Sequence, residues 1–186
     1  KIEIYSKRLE ENGFHPLPIY DPIPTHETMH PGELHLVIHQ WMVHTHDRTA
    51  NSMWLSEIVH DNPLFINSAT ARELGLTAHD RVKVISKVGE IETNVRIVEG
   101  IHPKVVAMGD SCGHWGFGRI AQAKAFKSQD PNTRLLWWER KKRGLFSEEP
   151  EGSGNGVHPK PIIGVTSDPI GGGQGWMDTK VRVKKV

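Results

Sequence analysis

From Arg81 to Val98 the chain reads RVKVISKVGEIETNVRIV, and this stretch limits the fold more than any other. In its second half Ile91, Thr93, Val95 and Ile97 share one face, while Glu92, Asn94 and Arg96 share the other, because successive strand side chains point to opposite sides. With KVGE between them, RVKVIS and IETNVRIV predict a β-hairpin with one wet side. Its apolar face needs a cover, and the remaining chain offers short strands instead of long helices. ELHLVIHQWMV, from Glu33, is a nearly continuous apolar run, as expected for a strand buried on both faces. LFIN after Pro63 and VVAM after Pro103 are short buried strands. TKVRVKKV alternates Val181 and Val183 with basic residues, as an exposed or edge strand does. SATAREL makes a two-turn helix with Ser68 as its N-cap and Gly75 at its stop. Together these predict a mainly β protein with short helices, a β-barrel or compact β-rich domain.

A chain of 186 residues buries one ordinary core, so we expect one domain with extensions. Residues 1–31 carry Pro16, Pro18, Pro22, Pro24 and Pro31, a density that argues against regular helix or central strand. They read as an arm or connector from a preceding domain. Residues 32–186 form the barrel domain, with a surface excursion around 119–160 that holds WWERKKRG and SEEPEGSGNG. The chain opens at Lys1 with no initiating methionine, which we read as the cut start of a longer protein. The 23 Lys and Arg against 22 Asp and Glu leave a formal charge of +1, so no nucleic-acid partner is expected. No apolar run approaches the roughly 20 residues of a membrane helix, so no direct membrane insertion is expected either. Cys112 is the single cysteine, which excludes an internal disulfide and a thiolate-held iron–sulfur cluster within these residues.

The densest chemistry lies in HTHDRTANSMWL. Arg48 offers a planar fork of donors beside the hydroxyls of Thr45 and Thr49 and the amide of Asn51, a set suited to a phosphate or a fused heterocycle rich in carbonyls and ring nitrogens. The alternative is a surface arginine paired with Asp47 or Asp61. His44 and His46 make the one histidine pair that a strand would let converge on a metal; His35 and His39, four apart, stand about 13 Å from each other on one face. Asn67, at the mouth of the short helix, either meets an anion or caps the helix, although capping does not need both Asn62 and Asn67. In CGHWGFG, His114 and Trp115 sit between glycines, which suits either a ligand approached by backbone and indole or a tight turn. Cys112 reads as a small buried residue, and Gly171–Gly173 as a phosphate cradle or a turn.

Taken in order, these pieces resemble the C-terminal cofactor-binding domain of the molybdopterin oxidoreductases, the dimethyl sulfoxide reductase superfamily of bis(molybdopterin guanine dinucleotide) enzymes. The similarity runs from about Leu34 to the end and is most specific in NPLFINSATARELGLTAHDRVKVISKVGEIETNVRIVEGIHPKVVAM. His79 departs from it, standing where the family usually has glycine before Asp80. HTHDRTANSMWL, GHWGFG, GNGVHP and DPIGGGQGWMDTKVRV are similar to the branch of polysulfide, thiosulfate, tetrathionate and arsenate reductases. The resemblance implies a double-psi β-barrel closing over pterin dinucleotides that hold molybdenum or tungsten. On it, Thr45, His46, Arg48, Thr49 and Asn51 approach the pterin and pyrophosphate, Asn67 the guanine end, and His114, Trp115, Gln174 and Asp178 the pterin face. It further implies that the metal's protein ligand and any iron–sulfur cluster lie in preceding domains of the same catalytic subunit. An iron–sulfur electron-transfer subunit is the implied partner, a sulfur or arsenic oxyanion the implied substrate, and export to the periplasm or outer membrane face a frequent fate of the branch. The rival expectation is a free-standing β-barrel binding or assembly module, with or without a histidine-held metal.

Overall fold

The computed structural model describes residues 4–49, 52–59, 61–113 and 156–186. Two one-turn helices occur in the proline-rich opening, α1 (Lys7–Glu11) and α2 (Pro24–Glu27), against the expectation of none. Both obey local rules. Ser6 accepts from the Leu9 N–H to cap a proline-free α1, and α2 places Pro24 at its start, where no N–H is needed.

β1 (Leu34–His39) follows, then α3 (Met53–Ile58), β2 (Leu64–Asn67), α4 (Ser68–Glu73), β3 (Arg81–Ile85), β4 (Glu90–Val98), β5 (Val105–Gly109) and β6 (Thr179–Lys185). Hydrogen bonding closes the strands into a barrel in the order β1-β5-β2-β4-β3-β6. β1 runs parallel to β5 and β2 parallel to β4, and the other four pairings are antiparallel. This is the mainly β, double-psi barrel expectation realised. β3 and β4 form the predicted hairpin, with Val84 opposite Ile91 and Val82 opposite Thr93.

Two strand expectations need correction. β1 stops at His39 and alternates, burying Leu34, Leu36 and Ile38 while His35, Val37 and His39 are only half-covered. Its outward face is roofed by α2 and Trp41 side chains, not by a second sheet. β6 is no edge strand, since it lies between β1 and β3 and turns Val181 and Val183 into the core. Its basic residues point outward because closure leaves that face to solvent, and closure itself removes the free edges.

The core is the inward face of all six strands, centred on Leu36, Leu64, Ile66, Val82, Val84, Val106, Met108 and Val181, each 0–1 % exposed. Burying each such side chain contributes about 1.5–3 kcal/mol. Ile162, on a 3-10 turn (Lys160–Ile162), is equally buried and packs against the same cluster. Outside, Lys83 meets Glu90 at 2.9 Å and Arg81 meets Glu92 at 3.1 Å, exposed cross-strand pairs of the wet hairpin face.

β1 and β5 finish at one end of the barrel, called here the upper end, where β2 and β6 begin. At the lower end, α4 is stopped by Gly75 at φ +64°, and the turn into β3 carries His79 at φ +69°. Asp80 accepts from Lys185 and from the Thr77 N–H, which, Lys185 foremost, hold its carboxyl down to about 2. His79 is exposed, so its side chain offsets none of the left-handed strain. His79→Gly is therefore expected to raise stability by about 0.5–1 kcal/mol, after allowing for glycine's greater freedom in the unfolded chain. A shift of the urea midpoint at constant slope is the check, and no shift would show that the turn is unstrained.

Candidate functional site

The segment after β1 folds around His44, which is 5 % exposed. Its Nε2–H donates to Val59 O at 2.7 Å, and its Nδ1 is hydrogen-bonded to the Thr49 hydroxyl at 3.2 Å, as the acceptor when the ring is neutral. Thr49 Oγ1 in turn accepts from the Thr45 N–H at 2.9 Å, and a 3-10 turn spans His46–Thr49. Both ring nitrogens of His44 are thus engaged within the loop, and the His44–His46 metal pair of the rival expectation does not form. Among the described residues no three His, Cys, Asp or Glu side chains gather as a metal would require.

His46 adopts φ +47°, its ring is exposed, and its Nδ1 lies 4.0 Å from Asp110 Oδ2. Asp110 begins the loop after β5 and holds that loop to β1 through its N–H to His39 O. Arg48 is exposed, and its guanidinium makes no hydrogen bond or ion pair among the described residues; the pairing with Asp47 or Asp61 is not formed there. Thr45 and His46 are exposed beside it. Asn51, His114 and Trp115 lie outside the described residues.

Asn62 was legible only as a surplus asparagine. Its side chain, in a residue 1 % exposed, donates to Gly109 O at 2.8 Å and to Val157 O at 2.7 Å and accepts from the Val157 N–H at 2.8 Å. It ties the end of β5 to a segment that follows Asn62 by 95 residues. Gly109 also receives the Trp41 indole, whose Nε1 lies 2.0 Å from where a Cβ would stand, so glycine is required there. Cys112 is buried, and burial above all pushes its thiol up to about 12, which fits an inert core residue.

The segment before β6 returns across the upper end. Gln174 donates to Gly164 O at 2.9 Å, and Ser167 bridges Gln174. The glycine run is a turn: Asp168 accepts from the N–H groups of Ile170 and Gly171 with its side chain and from Gly172 with its carbonyl. Two of the run's first donors, the N–H groups of Gly171 and Gly172, are thus already taken by Asp168, which favours the turn over a phosphate cradle. Asp178 Oδ1 accepts from His26 Nε2 at 2.8 Å, a bond from α2 that the sequence did not suggest. Its Oδ2 accepts no hydrogen bond among the described residues and lies 2.8 Å from where a Cβ on Gly175 would stand.

Asn67 is the one described candidate at the lower end, since β2 runs antiparallel to β5. Its Oδ1 accepts from the Ala69 N–H at 2.8 Å and its Nδ2 donates to Ile101 O at 2.7 Å. It, and not Ser68, caps α4. The strand directions therefore put Thr45, His46, Arg48, Thr49, Gln174 and Asp178 toward the same upper end, with Asp110 as an addition beside His46, and Asn67 toward the other.

A family model described as the molydopterin dinucleotide binding domain matches residues 27–133. A selenate reductase subunit of Mesobacillus selenatarsenatis is 30 % identical over 177 residues, covering 83 % of this chain and 15 % of that protein. The molybdopterin-containing arsenate respiratory reductase of a Shewanella species is 32 % identical over 85 residues, 41 % of this chain and 10 % of that one. This chain thus spans a small fraction of the length of the curated relatives it matches. Among solved structures, acetylene hydratase from Pelobacter acetylenicus superposes with a TM-score of 0.65 at 15 % identity, covering all of this chain and 23 % of that one. That likeness is one of fold. The family match spans more than half of the sequence and takes in the loop after β1, the Asn62–Asn67 segment, the hairpin and β5, and on that ground the chain belongs to the molydopterin dinucleotide binding domain family.

Proposed function

We propose that this domain grips a bis(molybdopterin guanine dinucleotide) through the upper end of its barrel, as part of the catalytic subunit of a molybdenum or tungsten oxidoreductase. One observation carries the assignment to this end: the exposed Arg48 guanidinium, unpaired among the described residues, stands on a loop whose own hydrogen bonds are complete without it. A pterin dinucleotide presents pyrophosphate oxygens and many neutral hydrogen-bonding edges. The set here fits it: one fixed cation, the exposed Thr45 and His46, the Gln174 amide and the open Asp178 Oδ2. Arg48 would meet the pyrophosphate, Thr45, His46 and Thr49 the adjoining pterin, and Gln174 and Asp178 the pterin face. Asn51, His114 and Trp115 keep the same assignment from the sequence alone. Asn67, buried at the lower end with both side-chain polar atoms hydrogen-bonded, keeps its assignment to the guanine end from the sequence alone.

When bound, the group supplies metal-centred two-electron or oxygen-atom transfer. This chain's residues bind, orient and shield it. On the similarity to selenate and arsenate reductases we infer an oxyanion of sulfur, selenium or arsenic as substrate. Preceding domains would supply the metal ligand, and an iron–sulfur protein would deliver electrons. The test is chemical: the full-length protein, purified from its source and hydrolysed in acid, is expected to release GMP and an oxidised, fluorescent pterin. A preparation with neither would leave the free-standing barrel module as the better reading.

A further inference from the structure

Residues 24–33 do more than lead into the barrel. Lys180, on β6, donates to Thr28 O and Thr28 Oγ1, both at 2.8 Å. Glu33 accepts from the His30 N–H at 2.9 Å and lies 3.8 Å from Arg182 and 4.0 Å from Lys180. These contacts seat α2 against β1 and β6, where the His26 ring meets the His35 ring edge-on at 4.7 Å. The His26 Nε2–H is thereby aimed at Asp178 Oδ1 across 152 positions of sequence. An ionised carboxylate only accepts, so His26 is the donor.

The pair is partly exposed, with side chains 46 % and 20 % accessible, and such pairs contribute little to stability, about 0–1 kcal/mol. Its consequence lies in direction. With Oδ1 bonded to His26 and Gly175 leaving room for the other oxygen, Asp178 keeps Oδ2 unpaired among the described residues. Resting on the reading of Asp178 as a cofactor-facing residue, we propose that His26 is a positioning residue. It orients Asp178 so that Oδ2 accepts a hydrogen bond from a pterin N–H group, which makes the segment before the barrel part of the cofactor site.

The test is a double-mutant cycle in the full-length enzyme carrying its cofactor, read as the rate at which GMP-yielding cofactor is lost on dilution, with thermal unfolding followed in parallel. Asp178→Asn and His26→Ala are each expected to speed loss by about 5- to 10-fold, and the double variant no more than Asp178→Asn alone. His26→Gln, which keeps a donor, is expected to stay within about twofold of the parent. If His26→Ala does not fold, His26→Phe keeps the ring contact and removes the donor. No effect of Asp178→Asn would remove the Asp178 assignment and the proposal with it. An effect of Asp178→Asn with none from His26→Ala, or additive effects of the two, would overturn the proposal alone.

Discussion

Asn62→Leu is expected to destabilise the 186-residue chain by about 3–5 kcal/mol, the largest effect of any single change considered for this fold. The substitution keeps the branched skeleton, replaces the amide oxygen and nitrogen with bulkier methyl groups and removes both polar side-chain atoms. Gly109 O, Val157 O and the Val157 N–H are left without the partner they now share, in a place where the residue is 1 % exposed. Each unsatisfied buried group costs about 1–3 kcal/mol, against a total stability of about 5–15 kcal/mol for a domain. Relaxation is restricted on one side, because Gly156 at φ +80° brings its backbone so close that a Cβ would stand 2.2 Å from Asn62 Oδ1. Guanidinium unfolding decides the matter. A loss below about 1 kcal/mol would mean that water replaces the amide and that Asn62 is no clamp. The variant should also disturb the site, since Asn62 joins the end of β5, next to Asp110, to the segment that leads toward Gln174 and Asp178.

Arg48→Ala should show the opposite pattern, a large loss of cofactor grip with the fold intact. Charged hydrogen bonds contribute about 1.5–3 kcal/mol each, so a lost guanidinium–pyrophosphate contact corresponds to about 10- to 100-fold weaker retention. Stability should change by less than about 0.5 kcal/mol, because Arg48 is exposed and holds nothing among the described residues. Arg48→Lys should recover part of the loss, as a point charge without the planar fork. Retention equal to that of the parent enzyme would withdraw Arg48 from the site, and unfolding would reveal a structural partner instead.

The elements legible in the sequence were those with local periodicity. Ile91, Thr93 and Val95 alternate cleanly, and the β3–β4 hairpin lies where that alternation puts it. The short apolar runs around Leu64 and Val106 became buried strands for the same reason. What local pattern could not show was neighbourhood. The alternation of Val181 and Val183 is the same for an edge strand and for a barrel stave, and only the partners on both sides distinguish them. Proline density hid α1 because none of its five residues is a proline.

At the site the limit is sharper. Thr45, His46, Arg48 and Thr49 could be grouped because they are consecutive or nearly so, and the loop does bring them together. Asn67's distance from them, and the bonds from His26 to Asp178 and from Asn62 to Val157, are properties of topology. No spacing rule reaches across 95 or 152 residues.

The place of β6 in the barrel also sets an order of events. β1 is made before β6 and has β5 as its parallel neighbour, yet its other side, like the open side of β3, stays unpaired until Thr179–Lys185 exists. Two strand edges are therefore exposed from the time β3 is made until β6 is made, and the loop carrying Asp178 takes its position only when that stave is set. A cofactor held by this end of the barrel is one that enters after β6 has closed it.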